Sequence, residues 1–300
     1  MKILAAVVTH NRFKLLQRCY GSILQQTKSP NEILIVDNDS TDETQEYFKD
    51  SDCTYIRQEN TGSAGGWNTA IGYALDNNFD FIWLMDDDGF PDSEALEELT
   101  KNFNNDFSCL SSIVISENNH EKFVFPFPKL SSNNLPSLFS LPRKYYTVRS
   151  IQRYLNNNQY HYVHLFNGAL ISTSAIRTIG NVDTSYYMFG DEVDFFFRLQ
   201  KAGKVRSQFS SKHYHPDVSK RLLNEKKIYF YLRNSIILNK KYFDHFFIRS
   251  LLNIIAILIR VSVRNGFFSL ISLFFGKLKT SFFLGIFHGI TNYKSYDKFK

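Results

Sequence analysis

The sequence predicts an α/β fold: a mostly parallel central sheet with helices on both faces, followed by a helical extension. Three features carry this reading. Short apolar, β-branched runs alternate with helix-length segments from Ile3 to Ser116. Polar or acidic residues close those runs, as ligand-facing strand ends do in parallel sheets. The last third changes character: residues 201–300 carry 19 Lys and Arg against 4 Asp and Glu, while residues 1–200 carry 16 against 25.

The elements follow in order. Residues 2–8 read as the first strand, Asn11–Gln26 as a helix, and Glu32–Val36 as a second strand ending in Asp37-Asn38-Asp39-Ser40. Thr41–Lys49 reads as a helix and Cys53–Arg57 as a third strand. A glycine-rich turn with Gly62, Gly65 and Gly66 then leads into a helix to about Asn77. Phe81–Met85 is a buried strand running into Asp86-Asp87-Asp88, and Gly89-Phe90-Pro91-Asp92 turns the chain into a helix over Ser93–Phe103. The strand-end rule collects Thr9–Arg12, Asp37–Ser40, Gly62–Gly66 and Asp86–Asp88 along one edge. A strand follows over Leu110–Ser116. Glu117–Tyr160 is polar and holds four prolines, as expected of a lid or acceptor-side loop. Tyr162–Ser172 resumes the sheet with a break at Asn167-Gly168, Ser174–Gly180 is a short helix, and acids open the next helix at Asp191-Glu192. Lys204–Phe209 leads into His213-Tyr214-His215-Pro216, where His213 reads as an ordinary polar residue off the strand face of His215. The expected division is a main domain over 1–220, with 117–160 inserted, and a basic, apolar helical extension over 221–300.

Composition narrows the class. A 43% hydrophobic content supports a proper core. Cys19, Cys53 and Cys109 are odd in number and widely spaced, which predicts reduced thiols in the cytoplasm and excludes a disulfide framework. The amino terminus lacks the pattern of a signal peptide and reads as a strand. Nucleic acid is not an expected partner, because the basic residues of the last third are interleaved with apolar runs such as Leu251–Ile259. An anionic membrane surface accounts for both properties. Over Phe246–Arg264 the polar residues Arg249, Asn253, Arg260 and Arg264 share roughly 60° of helix circumference. Neither this stretch nor Phe267–Phe275 reaches the roughly 18 to 20 uncharged residues that spanning requires. The expectation is a helix lying in the membrane surface; packing against the main domain or a sister subunit, as a homo-oligomer, is the alternative.

The chemistry follows from the strand ends. Acids spaced as Asp86-x-Asp88 suit Mg²⁺ or Mn²⁺, which bind few carboxylates and keep positions for substrate phosphates. The glycines permit close backbone approach to a phosphate or sugar. Asp37 and Ser40 read either as base or ribose contacts or as an Asx or Ser cap on the next helix.

Taken together, Thr9-His10-Asn11-Arg12, Val36-Asp37-Asn38-Asp39-Ser40-Thr41-Asp42, the glycine turn, Asp86-Asp87-Asp88, Gly190-Asp191-Glu192-Val193-Asp194 with Arg198, and Tyr214-His215-Pro216 resemble the family 2 inverting glycosyltransferases. The glycine turn through Trp67 and the triple acid look most like the bacterial galactofuranosyltransferase and rhamnosyltransferase branch, as does Tyr229-Phe230-Tyr231-Leu232-Arg233-Asn234. The resemblance spans roughly residues 3–216. It implies a nucleotide-diphospho-sugar transferase fold of GT-A type, Rossmann-like. It implies Asp86, Asp88 and His215 as ligands of Mn²⁺ or Mg²⁺, Asp37 on the nucleobase, and Thr9, Asn11, Arg12, Ser40, Gly62, Gly65, Gly66 and Trp67 beside the nucleotide donor. Asp87 would meet the donor sugar or support the turn. Glu192, beside Asp191, would be the general base, and Arg233 either a diphosphate or acceptor contact or a plain surface arginine. The implied reaction moves one sugar from a nucleotide-diphosphate donor, UDP-galactofuranose before dTDP-rhamnose, to a lipid-linked or surface glycan, by a peripheral enzyme on the inner face of the cell membrane. The competing expectations are a non-catalytic sugar-nucleotide or glycan-binding subunit and a sugar-nucleotide hydrolase.

Overall fold

The structure, a computed structural model, describes residues 1–219 and 221–294. The chain divides into two compact units. One comprises Met1–Val182 with Phe195–Asp217, and the other Asp183–Asp194 with Val218–Lys300. The single cut expected near residue 220 therefore misses a second crossing: the segment with Asp191 and Glu192 belongs with the C-terminal helices.

The first unit runs β1 (Ile3–Thr9), α1 (Phe13–Leu24), β2 (Glu32–Asn38), α2 (Thr44–Phe48), β3 (Thr54–Gln58), α3 (Gly62–Asp76), β4 (Phe81–Asp86), β5 (Phe90–Pro91), α4 (Ala95–Asn102) and β6 (Phe107–Ser116). It continues through β7 (Asn119–Pro128), β8 (Lys144–Thr147), α5 (Val148–Ile151), β9 (Gln159–Tyr160), β10 (Asn167–Ser172) and α6 (Thr173–Ile179). The helix α7 (Asp191–Ala202) then crosses the division, and β11 (Lys204–His215) closes the unit.

The sheet order is β3-β2-β1-β4-β10-β6-β11-β5. The first four strands are parallel, as their alternation with helices requires, but β10 pairs antiparallel with both β4 and β6. The sheet is thus mixed where the sequence predicts it mostly parallel. Period-two alternation divides the core between its faces. Leu4, Ala6 and Val8 of β1 pack with α3, α6 and the later turns of α7, while Ile3, Ala5 and Val7 pack with α1 and α4.

Glu117–Tyr160 differs from the expected loop. It forms the β7–β8 ribbon and a short helix over its own apolar cluster, in which Phe123, Phe127, Tyr145 and Tyr160 pack with Ile113, Ile115 and Phe209 of the main sheet. Alternate aromatic residues, scattered among polar ones in the sequence, supply one buried face of that ribbon.

The second unit holds α8 (Glu225–Tyr242), α9 (Phe246–Asn265), α10 (Ser269–Phe275) and α11 (Lys279–Thr291). Gly285 and Gly289 let α11 approach α8 closely: a Cβ at Gly285 would lie 3.0 Å from the Tyr229 carbonyl, and one at Gly289 2.8 Å from Ile236 Cβ. Helix α9 is 20 residues long and, by length and composition alone, apolar enough to cross a membrane, although Arg249, Arg260 and Arg264 interrupt it. Its polar stripe flanks the buried Ile257 and Val261, and its arginines take partners within the unit. Arg249 bonds Asp244 at 2.9 Å, Arg260 stacks 4.7 Å over the Tyr231 ring, and Arg264 donates to the Arg221 carbonyl. The outer face instead presents Phe247, Leu251, Ile259 and Val263, each more than half exposed.

Candidate active site

The parallel strands deliver their polar ends to one edge. The register pairs Thr9 with Asp37 and Val8 with Asp86, so the ends of β1, β2 and β4 lie side by side. Beyond Asp86, Asp87 and Asp88 are buried, which is costly for two adjacent carboxylates unless donors meet them. The donors come from the end of β1 and the start of α1. Thr9 Oγ1 donates to Asp87 Oδ2 at 2.8 Å. Arg12 Nη1 bridges Asp87 Oδ1 at 2.7 Å and Asp88 Oδ2 at 3.0 Å. Burial alone would loosen the Arg12 proton, but the fields of Asp87 and Asp88 more than reverse this and hold the guanidinium charged. Asp87 itself is pushed above the ordinary carboxylate range by burial, with Arg12 pulling back and Asp88 adding to the rise. Asp87 therefore supports the turn.

The other oxygen of Asp88 meets His215. Asp88 Oδ1 lies 2.9 Å from His215 Nε2, with both side chains almost wholly buried. His215 Nδ1 is 2.7 Å from the Pro216 carbonyl. A carbonyl only accepts, so Nδ1 carries a proton, and in a neutral ring Nε2 then presents its lone pair to the carboxylate. Two acceptors at that distance need a second proton or a cation between them. Backbone-anchored Nδ1 with a lone pair at Nε2 is how histidines are oriented on metals. Two donors sharing an octahedral ion with bonds of about 2.1 Å also stand roughly 3 Å apart. The pair thus offers two donors of the kind a divalent ion takes. The full expected set is not gathered: among the described residues no three His, Cys, Asp or Glu side chains converge as a metal-holding group. Asp86 is half-buried at the end of β4.

His213 corrects a strand-face assignment. Residues 213 and 215 are two apart on β11, so both point to the same side, and His213 is fully buried with neither ring nitrogen hydrogen-bonded. Burial, then the neighbouring His215, pushes its pKa down to about 3. Its ring packs beneath Gly89, where a Cβ would lie 2.2 Å from His213 Nε2. This glycine keeps the backbone behind the acids within contact of the ring.

Several expected nucleotide contacts are occupied internally. Asp37 is fully buried; Oδ1 accepts the Ser40 amide at 2.8 Å and Oδ2 the Tyr55 hydroxyl at 2.5 Å, so the Asx-turn alternative describes it. Ser40 Oγ accepts the Asn11 amide at 2.9 Å, and Asn11 Oδ1 accepts from Thr41, stitching the β1 and β2 ends together. Of the glycines, Gly62 begins α3 at φ 77°, where only glycine is unstrained. Gly65 and Gly66 lie inside the helix, not in a turn. A Cβ at Gly66 would lie 2.4 Å from Val8 and 2.8 Å from Asn38, so its role is close packing of α3 on the sheet. Trp67, expected beside the donor, is fully buried and stacks on Phe166 at 4.5 Å. The helical period turns it inward, which a glycine-rich turn would not.

One contributor escapes sequence reasoning. Arg18 on α1 donates to the Asp88 carbonyl at 3.0 Å and to Glu117 at 2.7 Å, and stacks 4.4 Å over Phe90. No motif marks a helical arginine that fixes a backbone 70 positions away.

In the second unit, Asp191 is buried and Glu192 half-buried at the start of α7. Arg233, expected as a ligand contact or a surface arginine, is neither. It is fully buried and donates to the carbonyls of Ser185, at 2.7 Å, and Tyr186, at 3.1 Å. Asp194 receives Lys241 at 2.7 Å and the Tyr242 hydroxyl at 2.8 Å.

Comparison with known proteins agrees with this architecture. The galactofuranosyltransferase GlfT1 of Mycolicibacterium smegmatis is 28% identical over 207 residues, 67% of this chain and 66% of that protein. The GlfT1 of Mycobacterium tuberculosis is 28% identical over 213 residues, so the chain spans about two thirds of these relatives' length. The low-salt glycan biosynthesis hexosyltransferase Agl10 of Haloferax volcanii is 24% identical over 270 residues, covering 87% of this chain and 83% of Agl10. Among solved structures, the Pyrobaculum calidifontis mannosyltransferase PcManGT in complex with GDP-Man and Mn²⁺ superposes with a TM-score of 0.55 at 12% identity, over 97% of this chain and 88% of that one. S. aureus TarS 1–349 with UDP-GlcNAc gives 0.54 at 16% identity, over 97% and 81%. These likenesses show the GT-A fold. Residues 5–167, more than half the chain and including the β1, β2 and β4 ends with their acids, match the profile of glycosyl transferase family 2, and the chain belongs to that family.

Proposed function

We propose that this chain is a metal-dependent inverting glycosyltransferase that moves one sugar from a nucleotide-diphosphate donor to a hydroxyl of a lipid-linked or growing surface glycan. The carrying observation is the Asp88–His215 pair, whose Nδ1 anchor leaves Nε2 facing a carboxylate at the end of the sheet. Asp88 and His215 would hold Mn²⁺ or Mg²⁺. A divalent ion there supplies Lewis-acid neutralisation of charge on a leaving diphosphate, worth several kcal/mol in such sites. The mannosyltransferase solved with GDP-Man and Mn²⁺ supports that choice. Asn11 and Arg12, exposed beyond the end of β1, border the nucleotide, with the buried Thr9 and Ser40 behind them. Arg12 keeps the Asp87 and Asp88 carboxylates in register, and Arg18 holds the backbone between them and Phe90.

Glu192 takes the proton of the acceptor hydroxyl. That oxygen forms a bond to the anomeric carbon as the carbon–oxygen bond to the diphosphate breaks on the opposite face, so the configuration inverts. Likeness to GlfT1 favours UDP-galactofuranose as donor, ahead of dTDP-rhamnose or another UDP-hexose. The outward apolar face of α9, accompanied by the basic character of the last third, supports peripheral residence on an anionic membrane at the cytoplasmic side.

The test screens nucleotide sugars for Mn²⁺-dependent thermal stabilisation, which grows with donor affinity, then analyses products with and without a glycan acceptor. Stabilisation by one donor, transfer to the acceptor, and loss of both in Asp88→Ala are expected. Donor hydrolysis regardless of acceptor would identify a hydrolase, and donor binding without any turnover a binding subunit.

A further inference from the structure

We infer that Arg233 and Asn234 on α8 are positioning residues that set the Asp191–Glu192 pair, so the acids of the reaction are mounted on the C-terminal helical unit. The inference rests on Glu192, or its neighbour Asp191, accepting the acceptor proton.

The segment before α7 holds an unfavourable course. Tyr187 at φ 64° and Phe189 at φ 58° both take the left-handed region, which side-chain-bearing residues avoid, just before Gly190 and the acids. Such conformations persist only where surroundings over-determine them. Here α8 does so. Arg233 Nη2 donates to the carbonyls of Ser185 and Tyr186, and Asn234 Nδ2 donates to those of Tyr186, at 3.0 Å, and Met188, at 2.6 Å. Both side chains are fully buried, so their donors act at low dielectric on carbonyls at and beyond the end of a single helical turn, where no regular ladder continues. Arg233 Nε also donates to Asn234 Oδ1 at 2.8 Å, locking the amide so that its nitrogen faces the loop.

Packing completes the clamp. Tyr187 stacks on Phe230 of α8 at 4.9 Å with rings 17° apart. A Cβ at Gly190 would lie 2.9 Å from Asn234 Cβ, so the backbone entering Asp191 rests directly on this residue. A displacement of about 1 Å at a reacting group lowers turnover about a hundredfold without touching substrate affinity, which gives the clamp its measurable signature.

The experiment compares Asn234→Ala, Arg233→Met and Arg233→Lys in the full-length chain with Asn239→Ala. Asn239 is another buried amide on α8, but it bonds Ser250 and does not touch the segment. Expected for Asn234→Ala is a fall in kcat of about tenfold to a hundredfold, with donor KM and UDP–Mn²⁺ affinity changed less than about twofold. Hydrogen exchange at the amides of residues 186–188 should quicken in the same variant, and Arg233→Lys should retain more turnover than Arg233→Met. Asn239→Ala should lose comparable stability and keep its kcat. If Asn234→Ala and Asn239→Ala behave alike in kcat and in local exchange, or if donor affinity falls in step with kcat, the positioning role is refuted. Glu192→Ala and Asp191→Ala form the separate arm. Normal turnover in both overturns the proton-acceptor assignment itself, whereas inactive acids beside a normal Asn234→Ala overturn only the clamp.

Discussion

Replacing Arg12 by Met tests the electrostatic account of the triple acid. The substitution keeps an unbranched apolar stem and removes the one guanidinium that bridges Asp87 at 2.7 Å and Asp88 at 3.0 Å. Removing a partner from a fully buried ion pair costs about 3–5 kcal/mol, because an uncompensated charge is left behind. Exposed pairs are worth about 0–1 kcal/mol. Arg12 lies between these limits: its side chain is 40% exposed while those of Asp87 and Asp88 are 4% and 3%. A loss of about 2 kcal/mol follows, which for a unit of this size lowers the melting temperature by roughly 4–8 °C. Thermal and urea unfolding of the metal-free protein measure it. Adding Asp87→Asn removes one of the two buried charges that Arg12 bridges, and with it their mutual repulsion, so the double variant should recover about 1 kcal/mol and yield a clear coupling energy in a double-mutant cycle. An Arg12→Met variant within about 0.5 kcal/mol of the parent, inside the scatter of an ordinary surface substitution, or a cycle that closes at zero, would sink the argument.

Two further outcomes are expected. His164, packed against the Phe125 and Phe127 rings, has its pKa lowered to about 3 by burial and then by Lys144, so it stays neutral in the fold while the unfolded residue titrates near its ordinary value. Its contribution is present above about pH 6.5 and is lost as pH falls toward 3; His164→Phe should flatten urea-unfolding stability over that interval, and an unchanged slope would count against it. Full-length protein should sediment with anionic vesicles more than with neutral ones and be released by salt, and Phe247→Ser with Leu251→Ser should weaken this; equal, salt-insensitive recovery from all samples would favour covering of the outer α9 face by protein.

The shared edge of the strand ends was legible because it rests on short-range sequence pattern. Continuous apolar runs in Ile3–Thr9, Glu32–Asn38 and Phe81–Asp86 specify buried strands, and strands joined through helices bring their carboxyl ends to one side. His215 belonged to a recognisable run, and even the shared face of His213 was available from the two-residue period of β11. Gly66 and Trp67 were not: a glycine-rich run has two solutions, a ligand-facing turn or a helix pressed on a sheet, and only the contact with Val8 and Asn38 selects the second.

By itself, then, the sequence determined the α/β class, the family and the strand ends where the acids collect, since these follow from short-range pattern. Tertiary structure decided which charges meet. Arg12 finds Asp87 across 75 positions, and His215 reaches Asp88 from the far end of β11. It also decided that Arg233 is spent on the backbone of Ser185 and Tyr186, that Arg260 of α9 stacks over Tyr231, and that the segment carrying Asp191 and Glu192 joins the C-terminal helices. A side chain's role at such distances depends on which partner the fold leaves within about 3 Å, and periodicity along the chain carries no information about that.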